Sequence, residues 1–134
     1  MSGIMSTALS GLNDATLRVS NAASNIANAF SSSALPTPAG TYTGFQPQDV
    51  VSLSTAGSGT GGVTSTLKAR SPAYEAAPGT GSAVANAHGL VATPNVDLTT
   101  EMVALQTAQV SYSANATLIK SSDQMQKRLL DAVS

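Results

Sequence analysis

From Ile4 to about Asn28, the apolar or small residues Ala8, Leu12, Ala15, Val19, Ala22 and Ile26 recur at alternating steps of four and three. That is the repeat of a helix built to lie along another. The stripe is thin and rich in Ala, with Leu9 and Leu17 flanking it. An isolated helix of this length is marginal in water, so the pattern calls for a partner. Asn21, Asn25 and Asn28 repeat at the same steps on an adjacent face. Asn weakens a helix interior because its side chain competes for backbone hydrogen bonds. Two readings stay open: amides engaged in lateral contacts, or a solvated polar face with Asn28 near the helix C-terminus.

Ser31, Ser32 and Ser33, followed by Pro36 and Pro38, end this helix and set a boundary near residue 30. Beyond it, Asp49 to Ser54 reads as one strand, and Val63 to Lys68 alternates as a half-buried strand does. The two predict a hairpin across a loose loop from Ala56 to Gly62. Residues 71–94 carry Pro72, Pro78, Gly79, Gly81, Gly89 and Pro94 with little periodicity, and read as extended chain. Gly89-Leu90-Val91 is a candidate for one further short strand.

A second helix is predicted after Pro94, with Asn95 or Asp97 as N-cap, running toward Val133. Leu98, Met102, Leu105, Ala108, Tyr112, Asn115, Ile119, Ser122, Met125 and Leu129 form its stripe, close to the period of a straight helix. Val103, Val110 and Leu130 lie off that stripe and form a second strip, a candidate subunit contact. Asp97 and Glu101 at the start and Lys127 and Arg128 near the end match the helix dipole. The expected fold is therefore mainly α: N- and C-terminal helices packed as an antiparallel coiled coil around a small β-rich or irregular middle. The expected segments are 1–30, 31–94 and 95–134.

Composition changes this picture in two ways. The 134 residues carry only 10% charged side chains and a net charge of −1, and the six basic residues are scattered, which removes the electrostatic basis for nucleic-acid binding. Aromatic residues are 4% with no Trp, and Ala is the commonest apolar residue, so a private core is sparse and completion by partner subunits is expected. There is no Cys, hence no disulfide framework or thiolate metal site. The first residues lack a basic n-region and an apolar h-region, and no stretch approaches a membrane span; neither a cleaved signal peptide nor membrane insertion is expected.

A search for chemistry returns little. His88 is the only histidine and has no neighbouring cluster of ligating residues. No Ser lies in a Gly-x-Ser-x-Gly context, and Thr55 to Gly62 lacks the Gly-Lys-[Ser/Thr] ending of a phosphate loop. Asp97 and Glu101 suit the start of a helix better than acid/base work. No catalytic, cofactor-binding or metal-binding residues are assigned. The candidate residues are instead for helix packing and subunit contact. On the first helix they are Ala8, Leu12, Val19, Asn21, Asn25, Ile26 and Asn28; on the second they are Leu98, Met102, Leu105, Tyr112, Asn115, Ile119, Met125 and Leu129.

Two segments carry a resemblance. Ala8-Leu9-Ser10-Gly11-Leu12, continuing to Leu17 and through Ser24-Asn25-Ile26-Ala27-Asn28-Ala29, resembles the N-terminal region of flagellar axial proteins. Thr93-Pro94-Asn95-Val96-Asp97-Leu98 with Glu101-Met102-Val103 and Ser111-Tyr112-Ser113-Ala114-Asn115 resembles the C-terminal helix of the flagellar basal-body rod family, on its proximal side. The resemblance implies a structural subunit, not an enzyme, exported unfolded through the type III export apparatus and located in the periplasmic rod. It further implies partners: copies of itself, other rod proteins, and the inner-membrane ring or its adaptor at the rod base. In such a rod the subunits form a helical tube that transmits torque and encloses the export channel. The alternatives are a needle or inner-rod subunit of a type III injection machine, and a small helical adaptor.

Overall fold

The computed structural model describes residues 2–37, 40–55 and 61–133. The elements run α1 (Ser2–Asn28), β1 (Gln48–Ser54), β2 (Val63–Ala69), β3 (Tyr74–Pro78), β4 (Leu90–Pro94) and α2 (Leu98–Val133). About half of the described chain is helix and about a fifth is strand. The fold is thus mixed α/β, which corrects the expectation of a mainly α coiled coil. The middle segment is neither one hairpin nor irregular chain, because it forms two separate two-stranded antiparallel sheets.

The predicted β1–β2 hairpin forms, with Asp49 opposite Lys68, Val51 opposite Thr66 and Leu53 opposite Thr64. Most of its connecting loop lies outside the described residues. The second sheet overturns the reading of residues 71–94 as extended chain. Tyr74 pairs with Pro94 and Pro78 with Leu90. The sequence Tyr-Glu-Ala-Ala-Pro has weak strand propensity. Pairing here rests on tertiary support: Ser33, just after α1, exchanges two backbone hydrogen bonds of 2.9 Å with Ala92, and the Tyr42 and Tyr74 rings stack at 4.5 Å. Gly79 lies against Val91 where a Cβ would collide.

α1 and α2 pair along their length. Asn25 bonds to Glu101, and a Cβ on Gly11 would sit 2.7 Å from the Asn115 amide. A step of fourteen residues down α1 thus matches fourteen up α2, so the helices are antiparallel. Ala8, Ala15, Ala22 and Ala29 recur every seven residues and are buried. Opposite them, Glu101, Ala108 and Ser122 are buried and Asn115 is half-buried, also at steps of seven. Small side chains on both helices permit close approach of the axes. The start of α2 is capped by Asp97, whose Oδ1 accepts from the Thr99 N–H at 2.8 Å.

The charge order at the far end of α2 differs from expectation. The helix continues to Val133, so Lys127 and Arg128 precede its last turn, which contains no basic residue. The dipole field fades beyond that turn. Lys127 is engaged instead by Asp123 at 2.8 Å, four residues earlier.

Candidate assembly surface

The buried stripe of α2 is more polar than the one predicted. Ala108 and Ser122 are fully inside, and Leu98, Leu105, Asn115 and Ile119 are half-buried. Met102, Tyr112, Met125 and Leu129, placed on the same stripe by their period, are exposed. The space against α1 is taken by Glu101, Ser111 and Ser122. A helix face pressed against Ala and Gly has no room for long side chains, so those lie beside the seam. On α1, Ala8 is buried and Leu12, Val19 and Ile26 are half-buried beside the alanine row.

The three Asn residues separate into different roles. Asn25 is 1% exposed. Its Nδ2 donates to Gln48 O at 2.9 Å and to Glu101 Oε1 at 3.0 Å. Asn21 Nδ2 donates to the same carbonyl at 2.7 Å. Asn28 Nδ2 donates only to Ser24 O, four residues back, at 2.9 Å. Two of the three amides therefore tie α1 to the start of β1, and the third caps its own helix.

Glu101 extends this junction. It is 4% exposed, and its Oε1 accepts from Arg70 Nη2 at 2.8 Å. Arg70 also pairs with Asp49 at 2.5 Å and donates to Asn95 O at 2.9 Å. Hydrogen bonding to Asp49 raises the Arg70 pKa above its ordinary value against the opposing effect of burial, and Glu101 adds to the rise. The end of α1, the base of the β1–β2 hairpin and the first turn of α2 are thus locked by one polar network. Sequence reasoning placed Glu101 at the helix start but missed its pairing with Arg70, since nothing local links positions 31 residues apart.

A second polar cluster lies farther along α1. Asp14 Oδ1 accepts from the Ser52 and Ser65 hydroxyls, and Asp14 Oδ2 accepts from Arg18 Nε at 2.9 Å. Arg18 Nη2 donates to Ser52 Oγ at 2.7 Å, closing a ring of three residues, Asp14, Arg18 and Ser52. Burial of Asp14 opposes ionisation, but the bonds from Ser52, Ser65 and Arg18 outweigh it and hold its carboxyl below the ordinary value. Toward the hairpin tip, the Val63 N–H donates to Ser10 Oγ at 3.2 Å, and Thr7 Oγ1 donates to Gly61 O at 2.6 Å.

Both clusters join α1 to the β1–β2 hairpin. Among the described residues no group of three or more His, Asp or Glu is placed to hold a metal ion, and His88 is exposed. No described helix is long and apolar enough to cross a membrane.

The apolar surface lies on α2. Continuing the antiparallel step places Ile4 of α1 beside Ser122, so α2 runs on past its partner. In that extension, the row of seven that carried Ala108, Asn115 and Ser122 continues as Leu129, 52% exposed. The neighbouring row of Leu105, Tyr112 and Ile119 continues to Val133, 88% exposed. Val103 and Val110, on the face of α2 turned away from the seam, are exposed as well.

The body is thus an antiparallel helix pair with a small-residue seam, two two-stranded sheets, two polar clusters and an apolar helix extension. Residues 87–132, from the loop before β4 through nearly all of α2, match the family model described as flagellar basal body rod FlgEFG protein C-terminal. The match, over about a third of the chain, supports a flagellar basal body rod protein family. That family is structural rather than enzymatic. Compared with curated proteins, the chain has no match.

Proposed function

We propose that this chain is a subunit of the proximal rod of the flagellar basal body, of the FlgC kind. In this reading it polymerises with copies of itself and with other rod proteins into a helical tube that transmits torque and encloses the export channel. The type III export apparatus delivers it, and the inner-membrane ring or its adaptor meets it at the rod base. The segments 1–30 and 95–134 make the helical layer, and 31–94 forms the elaboration on it.

The observation that carries this reading is the exposed Leu129 on α2 beyond the end of α1, inside the stretch that matches the rod family, with exposed Val133 one residue past that stretch. A seam of small residues that turns into Leu129 where the intramolecular partner stops, with Val133 on the neighbouring row, presents a contact for another chain. A contact between different surfaces of successive copies generates a helical filament when it does not close. Met102, Tyr112 and Met125 belong to the same contact in this reading, and Leu12 and Ile119 to the seam that supports it.

The test is concentration-dependent assembly together with complementation of motility in a strain lacking the gene. Wild-type protein is expected to assemble and restore swimming, and Leu129→Asp to do neither while keeping its helical content. A wild-type protein that stayed monomeric at high concentration, in a strain that swam without it, would overturn the assignment.

A further inference from the structure

The β1–β2 hairpin is held to α1 by a face that mixes polar and apolar side chains. By register and burial, Gln48, Val50, Ser52, Val63 and Ser65 share that face. The Gln48 carbonyl and the Ser52 and Ser65 hydroxyls bond to α1 from it, while Val51 and Leu53 on the other face are exposed. The hairpin packs on α1 and makes no comparable contact with α2 or the β3–β4 sheet. Between base and tip its polar links to α1 are Asp14, which receives one hydroxyl from each strand, and Arg18, which donates to Ser52.

From this geometry we infer that Asp14 is a latch: it holds the β1–β2 hairpin down on α1, and when it is removed or protonated the hairpin lifts and melts while the helix pair and the β3–β4 sheet stay folded. Three physical points support it. A carboxylate accepts from both serines at once, whereas a neutral acid must donate one proton and loses acceptor capacity. Charge-assisted bonds are the strong ones in a polar interface. A two-stranded hairpin by itself is marginal in water, so release from α1 is followed by loss of its own ladder. The helix pair does not share that dependence, because it is joined by the alanine seam and by the Asn25–Glu101–Arg70 junction at the hairpin base.

The charged groups that share the cleft with Asp14 are Arg18 on α1, Asp49 and Arg70 at the hairpin base, and Glu101 on α2. Asp49 and Glu101 are engaged by Arg70 and do not reach the serines. The role of Asp14 is read as the difference between the wild type and a variant lacking it.

The experiment is residue-resolved amide hydrogen exchange on the full chain at neutral pH, comparing wild type, Asp14→Ala and the double variant Ser52→Ala/Ser65→Ala. Both variants are expected to speed exchange at Val51, Leu53, Thr64 and Thr66, whose N–H groups lie in the bonded pairs of the ladder, by tenfold or more, with α2 and β3–β4 changing less than twofold. On acidification, wild-type hairpin amides are expected to lose protection relative to α2 as Asp14 is titrated, and Asp14→Ala to lack that step. Unchanged hairpin protection in the serine variant, which leaves α1 untouched, overturns the latch even if Asp14→Ala fails to fold. A uniform rise across all elements also overturns it, because the hairpin and the helices would then form one cooperative unit.

Discussion

α1 meets α2 through a row of alanines and Gly11, while an adjoining face of the same helix meets the β1–β2 hairpin through amides, hydroxyls and a carboxylate. The first interface is close and non-directional: small side chains set the distance between axes and dispersion supplies the attraction. The second is directional, because each bond fixes which residue of the hairpin lies beside which residue of the helix. One helix thus uses packing to choose its distance from one partner and hydrogen bonds to choose its register with another. The two interfaces meet at Asn25 and Glu101, where the seam itself becomes polar.

The comparison breaks most severely at that meeting point. Glu101→Ala removes a buried carboxylate that serves Asn25 and Arg70 together, and is expected to lower unfolding free energy by about 3 kcal/mol. Urea denaturation checks this, and a change near zero would mean that the junction is dispensable. Ala15→Leu attacks the packed face alone. With Ala15 fully buried, the added side chain forces the helices apart at a cost of about 2 kcal/mol, with hairpin chemical shifts largely retained. Equal disturbance of both partners of α1 would show that the two faces are not independent.

Asp14→Asn tests the directional face through pH. The folded carboxyl lies below its ordinary value, so the stability it contributes is present above the unfolded value of about 4 and lost as pH falls through the lower folded value. The variant is expected to be less stable than wild type by about 1 kcal/mol near neutrality, with the gap closing below about pH 4. A gap independent of pH would assign the effect to lost packing. The smallest expected effect on stability is that of Leu129→Ser, within about 0.5 kcal/mol, because the residue is exposed in the isolated chain. Its consequence belongs to assembly, read by sedimentation of the polymer.

Particular residues show where sequence reading succeeds and where it stops. The alternating steps of Ala8, Leu12, Ala15, Val19 and Ala22 revealed a helix that needs a partner, and Asp97 marked the start of the second helix. Val63-Thr64-Ser65 revealed a strand because period two is a local property. The β3–β4 pairing was not legible, since Tyr74–Pro78 has no strand pattern and acquires one only from β4 and Ser33. The period of α2 located Ala108 and Ser122 inside but also placed Met102 and Tyr112 there. Period alone does not know that the facing helix offers only alanine and glycine.

The sequence by itself determined the two helices, the β1–β2 hairpin and the resemblance of the C-terminal part to the flagellar basal-body rod family, because each is written in residues close together along the chain. Tertiary structure alone decided that the middle is two sheets and that Asn25, Glu101 and Arg70 meet. It also decided that Asp14 bonds to both strands of the hairpin, and that the α2 seam runs beyond α1 into exposed Leu129. Those outcomes depend on pairings between distant positions and on the volume left by small side chains across an interface, and neither quantity is carried by any single segment.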